Sequence, residues 1–128
     1  MENLLIRGTI RTPDIDFNIN GNIRIKGRSI PEDAGLFYNS LYSWVFRYCM
    51  NPLSETVVYL ELEYMNSSST KSILQILREL VATTRNGNNT LVINWYYELG
   101  DEDICEKGEY FQSILGHQFV FIETGKVF

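Results

Sequence analysis

Hydrophobic positions along this chain switch between a period of two and a helical period, and the switches mark its elements. Leu4-Leu5-Ile6 opens a short apolar strand. Ile15, Phe17 and Ile19 alternate with polar residues, as do Ile23 and Ile25 with Arg24 and Lys26. Between these runs lies Asn20-Gly21, whose residues tolerate positive φ, so an N-terminal β-hairpin is predicted. Pro31-Glu32-Asp33 starts a helix, with carboxylates near the positive end of its dipole. Phe37, Leu41, Trp44, Val45 and Tyr48 share one face of that helix, and Asn51-Pro52 ends it.

From Val57 to Met65 the period returns to two. Val58, Leu60, Leu62 and Tyr64 point one way, while Tyr59, Glu61 and Glu63 point to a partly solvated face. A second amphipathic helix carries Ile73, Ile76, Leu77, Leu80 and Val81 and stops at Asn86-Gly87. Leu91 to Tyr97 forms the next strand. Asp101-Glu102-Asp103 opens a third helix, with Ile104, Phe111, Ile114 and Leu115 at helical spacing, and Phe119 to Ile122 makes a last short strand. No linker or repeat divides residues 1–128. The order predicts a single α/β domain: a mixed β-sheet with an N-terminal hairpin and about three helices packed mainly on one face.

Composition narrows the function classes. At 128 residues, 45% hydrophobic and 21% charged, the chain has the make-up of a soluble globular domain. Its net charge is -5, and Lys and Arg are scattered, which disfavours nucleic acid and an acidic membrane surface as partners. No signal-peptide or membrane-spanning run is present, and Cys49 and Cys105 are far apart, so a reduced cytoplasmic protein is expected. With His117 the sole histidine, no zinc site is expected, and neither metal nor cofactor.

Candidate chemistry concentrates at the second helix start, Asn66-Ser67-Ser68-Ser69-Thr70-Lys71. Asn66, Ser67 or Ser68 can cap the helix by accepting from a first-turn N–H. The same position suits a phosphate, which would meet free N–H groups and the positive dipole end. On the residues alone, capping is the simpler reading. A nucleophilic-serine enzyme is disfavoured, since there is one histidine and no Gly-x-Ser-x-Gly elbow. Asp101, Glu102, Asp103, Glu106 and Glu109 match no calcium loop and read as a solvated, dipole-complementing helix start. In Trp95-Tyr96-Tyr97, one alternate set packs in the core and the other offers a protein-contact face. Arg24, Lys26 and Arg28 read as the solvated face of a hairpin strand, and His117 as a loop or strand-edge residue. An unmodified interaction module, or one binding a small anionic ligand, remains the alternative.

Several pieces coincide with a family pattern when taken in order. They are Thr12-Pro13 with Ile15, Gly27-x-Ser29-x-Pro31-Glu32, Phe37-Tyr38 with Trp44 and Tyr48, Leu62-Glu63-Tyr64-Met65-Asn66-Ser67-Ser68-Ser69 with Lys71, Trp95-Tyr96-Tyr97-Glu98, and Asp101-Glu102-Asp103 with Gly108-Glu109. The chain resembles, nearly end to end, the SiaC-type regulatory phosphoproteins, which are related in fold to STAS domains. The resemblance implies a non-enzymatic partner switch. A serine/threonine kinase with a histidine-kinase-like ATPase domain phosphorylates the hydroxyl directly after the junction Asn or Asp, here Ser67, in preference to Ser68 and Ser69. A metal-dependent serine/threonine phosphatase reverses this. The unmodified form binds a target, a diguanylate cyclase in SiaC-like proteins, linking the switch to cyclic-di-GMP and biofilm or aggregation signalling. Partner contacts implied on this chain involve Asn66, Lys71, Pro31, Glu32, Trp95, Tyr97, Asp101 and Asp103. The family's usual Thr is Ser67 here, its Pro-Glu-Asn reads Pro31-Glu32-Asp33, and Ile30 replaces a common Tyr.

Overall fold

The structure is a computed structural model that describes residues 1–125, apart from the side chain of Asn86. A six-stranded sheet runs in chain order: β1 (Leu4–Ile6), β2 (Asp14–Phe17), β3 (Asn22–Ser29), β4 (Glu55–Met65), β5 (Thr90–Glu98) and β6 (Val120–Thr124). The first two strand pairs are antiparallel and the last three parallel, so the sheet is mixed. The β2–β3 hairpin turns through Asn18–Gly21, with Gly21 at φ 97° and its N–H on the Asn18 carbonyl. A Cβ at Gly21 would sit 2.7 Å from the Glu55 carbonyl oxygen, so this turn needs glycine for space as well as for φ.

Three helices carry the parallel crossovers: α1 (Ala34–Met50), α2 (Ser67–Thr83) and α3 (Glu102–Leu115). Each joins a strand to its next neighbour in the same direction, and right-handed crossovers of that kind stack helices on one face. The core lies on that face. Ile15, Phe17, Ile23, Ile25, Val58, Leu60, Ile93 and Trp95 meet Leu41, Trp44 and Val45 of α1 and Ile73, Ile76, Leu77 and Leu80 of α2. Each such burial contributes roughly 1.5–3 kcal/mol. The opposite face stays open. There Arg24 lies over the Tyr59 ring at 4.2 Å and Lys26 meets Glu61 at 3.9 Å, in keeping with a solvated β3 face.

The expected elements are all present, with shifted ends. Asp33 is the cap of α1, not its first turn: its side chain accepts from the Leu36 N–H. The helix after β4 ends at Thr83, and a short 3-10 turn continues to Asn86 before Gly87, which has φ 73°. Tyr64 departs from its expected inward placement and is 51% exposed. Gly27 pairs with Leu62 and Arg28 with Tyr64, so Glu63 is an extra residue in β4. A bulge of this kind reverses the alternation beyond it. Met65 is therefore buried, and Tyr64 is turned outward beside the start of α2. In α3, Ile104 and Phe111 are buried, while Ile114 is exposed. His117 lies in the loop before β6, where its Nε2 is 2.9 Å from the Leu91 carbonyl.

Candidate functional site

Parallel β3, β4 and β5 end at the same edge of the sheet, and the next helix begins at each end. That edge is where ligands and partners of open α/β sheets are commonly met. The topology thus gathers segments that are distant in sequence: Glu32 and Asp33 before α1, Asn66 and Ser67 at α2, Asp101 and Asp103 at α3.

At the centre is the α2 cap. Asn66 has φ -81° and ψ 174°, and its Oδ1 accepts from the Ser69 N–H at 2.9 Å. The Ser68 hydroxyl donates to the same Oδ1 at 3.2 Å. The Asn66 carbonyl accepts from both the Thr70 N–H and the Thr70 hydroxyl, each at 2.9 Å. The backbone before the cap is held too, with the Asn66 N–H donating to the Ser29 carbonyl at 3.0 Å.

The hydroxyls of the run therefore have different environments. Ser69 is 0% exposed and takes a hydrogen bond from Ser29 Oγ at 2.8 Å. Ser29, also at 0%, lies 2.6 Å from the Tyr38 hydroxyl. Burial pushes the Tyr38 phenol up to about 12, partly offset by the neighbouring Ser29 and Ser69 hydroxyls, so it stays protonated near neutral pH. Ser29 spends its one proton on Ser69, which leaves Tyr38 as the donor to Ser29. Ser67 is exposed as the first residue of α2, and its hydroxyl bonds no described residue. The N–H groups of Ser67 and Ser68 come too early in the helix to reach a helical carbonyl, and no described residue accepts from them.

Depressions flank this turn. A cleft of about 670 Å³ is lined by Glu63, Tyr64, Met65, Thr70, Asp101, Asp103, Ile104, Glu106, Lys107 and Tyr110. Across α2, a groove of about 720 Å³ is lined by Glu32, Asp33, Ala34, Gly35, Leu36 and Ser68. Helical geometry sets Ser67 between Thr70 of the cleft and Ser68 of the groove, with Lys71 one turn along. Tyr97 lines a third depression of about 430 Å³ that shares Asp101 with the cleft.

The residues expected at a partner surface thus divide. Asn66, Lys71, Glu32, Asp101, Asp103 and Tyr97 present at least part of their surface at this edge. Pro31 and Trp95 do not. Trp95 is 1% exposed, packs on Phe111 at 5.2 Å, and donates from Nε1 to the Ile104 carbonyl at 2.9 Å. Its ring holds α3 in place and offers no surface to a partner. The period-two pattern of β3 already directed Ser29 inward along with Ile23 and Ile25, and helical spacing put Tyr38 on the face of Leu41 and Val45. What that pattern does not show is that both side chains converge on Ser69.

Among the described residues no group of three or more His, Cys, Asp or Glu side chains is placed to hold a metal ion, and no helix is long and apolar enough to cross a membrane. Cys49 and Cys105 are free thiols.

Comparison with known proteins agrees with this fold. An uncharacterized protein of Pseudomonas aeruginosa (strain UCBPP-PA14) is 29% identical over 113 residues, covering 88% of this chain and 89% of that protein. The structure of the diguanylate cyclase SiaD in complex with its activator SiaC, from Pseudomonas aeruginosa, contains a similar chain. It superposes with a TM-score of 0.87 at 27% identity, covering 94% of this chain and 99% of that one. SiaC of Pseudomonas aeruginosa superposes with a TM-score of 0.83 at 27% identity, covering 98% and 100%. Residues 6–124 match the family described as SiaC family regulatory phosphoprotein, and the chain belongs to that family.

Proposed function

We propose that this protein is a phosphorylation-controlled partner switch with Ser67 as the acceptor, and that its unmodified form binds and activates a diguanylate cyclase. The observation that carries the reading is the environment of Ser67. Its hydroxyl is exposed and unbonded among the described residues, directly after the Asn66 cap, while the neighbouring hydroxyls are buried or engaged. The similarity to an activator of a diguanylate cyclase supports the choice of target.

A serine/threonine kinase with a histidine-kinase-like ATPase domain is the donor-side partner. Ser67 Oγ forms a bond to the γ-phosphorus of ATP as the bond from that phosphorus to the β–γ bridging oxygen breaks. ADP leaves, and the hydroxyl proton passes to a base on the kinase. A metal-dependent serine/threonine phosphatase reverses this with water, releasing inorganic phosphate and restoring the hydroxyl. The chain itself supplies no catalytic group in this scheme and works in the cytoplasm as one domain.

The phosphate adds roughly -1.5 to -2 charges at a helix N-terminus, where unpaired N–H groups and the dipole receive it. Lys71 is on the same helix face and Lys107 Nζ lies 3.4 Å from the Met65 carbonyl, but carboxylates outnumber cations in the flanking depressions. The phosphate adds further negative charge to a surface already rich in carboxylates, and both charge and bulk oppose a target seated across the turn.

The test combines phosphorylation and binding. Intact-mass and peptide mapping after incubation with the kinase and ATP should place one phosphate on Ser67, and Ser67→Ala should abolish it. Ser67→Glu should weaken cyclase binding by about tenfold, within the usual 1–3 kcal/mol range of such couplings, with the fold intact by circular dichroism. Normal phosphorylation of Ser67→Ala would remove Ser67 from the role.

A further inference from the structure

Asn66, Ser67, Ser68 and Ser69 are all residue types that cap helices well, so local preference alone allows α2 to begin at several positions. Each start would present a different hydroxyl as the first helical residue after the cap. The structure breaks this degeneracy from below. Ser29 holds the chain on both sides of Ser67: its carbonyl accepts the Asn66 N–H at 3.0 Å, and its hydroxyl donates to Ser69 at 2.8 Å. Tyr38, 2% exposed, completes the chain from α1 with a 2.6 Å contact to Ser29 Oγ. A start moved onto a later serine would release Asn66, which Ser29 holds by its N–H and which caps the Ser69 N–H, and unwind the turn that seats Ser69 in this dry site. Ser29 and Tyr38 would then be buried without their partner, a costly outcome.

We propose that Tyr38, Ser29 and Ser69 are positioning residues that lock the register of the α2 start, and that this lock makes Ser67 rather than Ser68 the phosphoacceptor. The inference rests on the phosphoswitch reading above. Ser69 is itself no acceptor in this arrangement, because its oxygen is enclosed and already bonded. The transfer is the one already written, from the γ-phosphoryl of ATP to a serine oxygen with ADP leaving, and the lock decides only which oxygen is offered. Tyr38 remains a neutral donor across the physiological range, so the lock does not loosen with ordinary changes of pH.

The experiment uses the full chain with the kinase and ATP, in wild type, Ser69→Ala, Ser29→Ala and Tyr38→Phe, each checked for native circular dichroism. Phosphopeptide mass spectrometry reads the Ser67 to Ser68 phosphate ratio. Native-state amide exchange reads the protection of Ser69 and Thr70 without any kinase. Losing one buried hydrogen bond should lower the ratio on the order of tenfold in Ser69→Ala and Ser29→Ala, with faster exchange at those amides. Tyr38→Phe, which keeps the ring, should move both readouts the same way by less. Unchanged exchange in all three variants overturns the lock, and so does an unchanged ratio in phosphorylated protein. Absence of phosphate from wild-type Ser67, with faster exchange in the variants, would instead overturn the phosphoswitch and keep the lock.

Discussion

At the residue scale, adjacent serines of one chemical type have different capacities because the fold gives each a different environment. Ser69 sits in the core, Ser68 donates to the cap, and Ser67 faces solvent. A run of like hydroxyls can therefore contain one exposed, unbonded member with no sequence difference among them. Asn66 is the other decisive residue, since its Oδ1 holds both the Ser69 N–H and the Ser68 hydroxyl. Asn66→Ala should destabilise the protein by about 1 kcal/mol, the usual cost of losing an N-cap. A lower urea midpoint with an unchanged slope would show it; an unchanged midpoint would mean the cap is redundant with the Ser69 anchor.

At the element scale, α3 depends on a close approach to the sheet. A Cβ on Gly108 would lie 2.6 Å from Trp95 Cδ1 and Nε1, inside any normal contact. Trp95 is pinned by Phe111, Phe119 and its bond to the Ile104 carbonyl, so it cannot retreat. Gly108→Ala should therefore displace α3 and cost ~1–3 kcal/mol despite the better helix propensity of alanine. Thermal unfolding would record this as a lowered midpoint. An equal or higher midpoint would show that α3 can slide without loss. Because Asp101 and Asp103 ride at the start of α3, the same variant should also weaken any partner that uses the cleft beside Ser67. The bulge at Glu63 acts at this scale as well. It turns Tyr64 out into that cleft, and a strict period-two reading of β4 places it wrongly because the extra residue has no signature in the hydrophobic pattern.

Across the whole molecule, parallel topology turns separate motifs into one edge, and groups toward both ends of α1 resist ionisation. Burial raises Tyr38 from its ordinary 10.0 to about 12, and burial together with Glu79 raises Cys49 from 9.0 to about 12. In both cases the folded state holds its proton where the unfolded chain releases it. Their contribution is thus complete below about pH 9 and is lost as pH climbs toward 12. Denaturant midpoints should hold steady up to about pH 9 and fall beyond it, more shallowly in Tyr38→Phe; a midpoint that rises with alkali would contradict these environments. The sequence by itself determined the order of elements, the inward faces of most strand and helix positions, and the family pattern, because each is written in local periodicity or in contiguous motifs. Only the tertiary structure decided which hydroxyl is buried, which aromatic is withheld from the surface and where β4 changes face. Those outcomes depend on side chains brought together by the sheet — Ser29 with Ser69 across 40 positions, Gly108 against Trp95 — and no local pattern encodes such meetings.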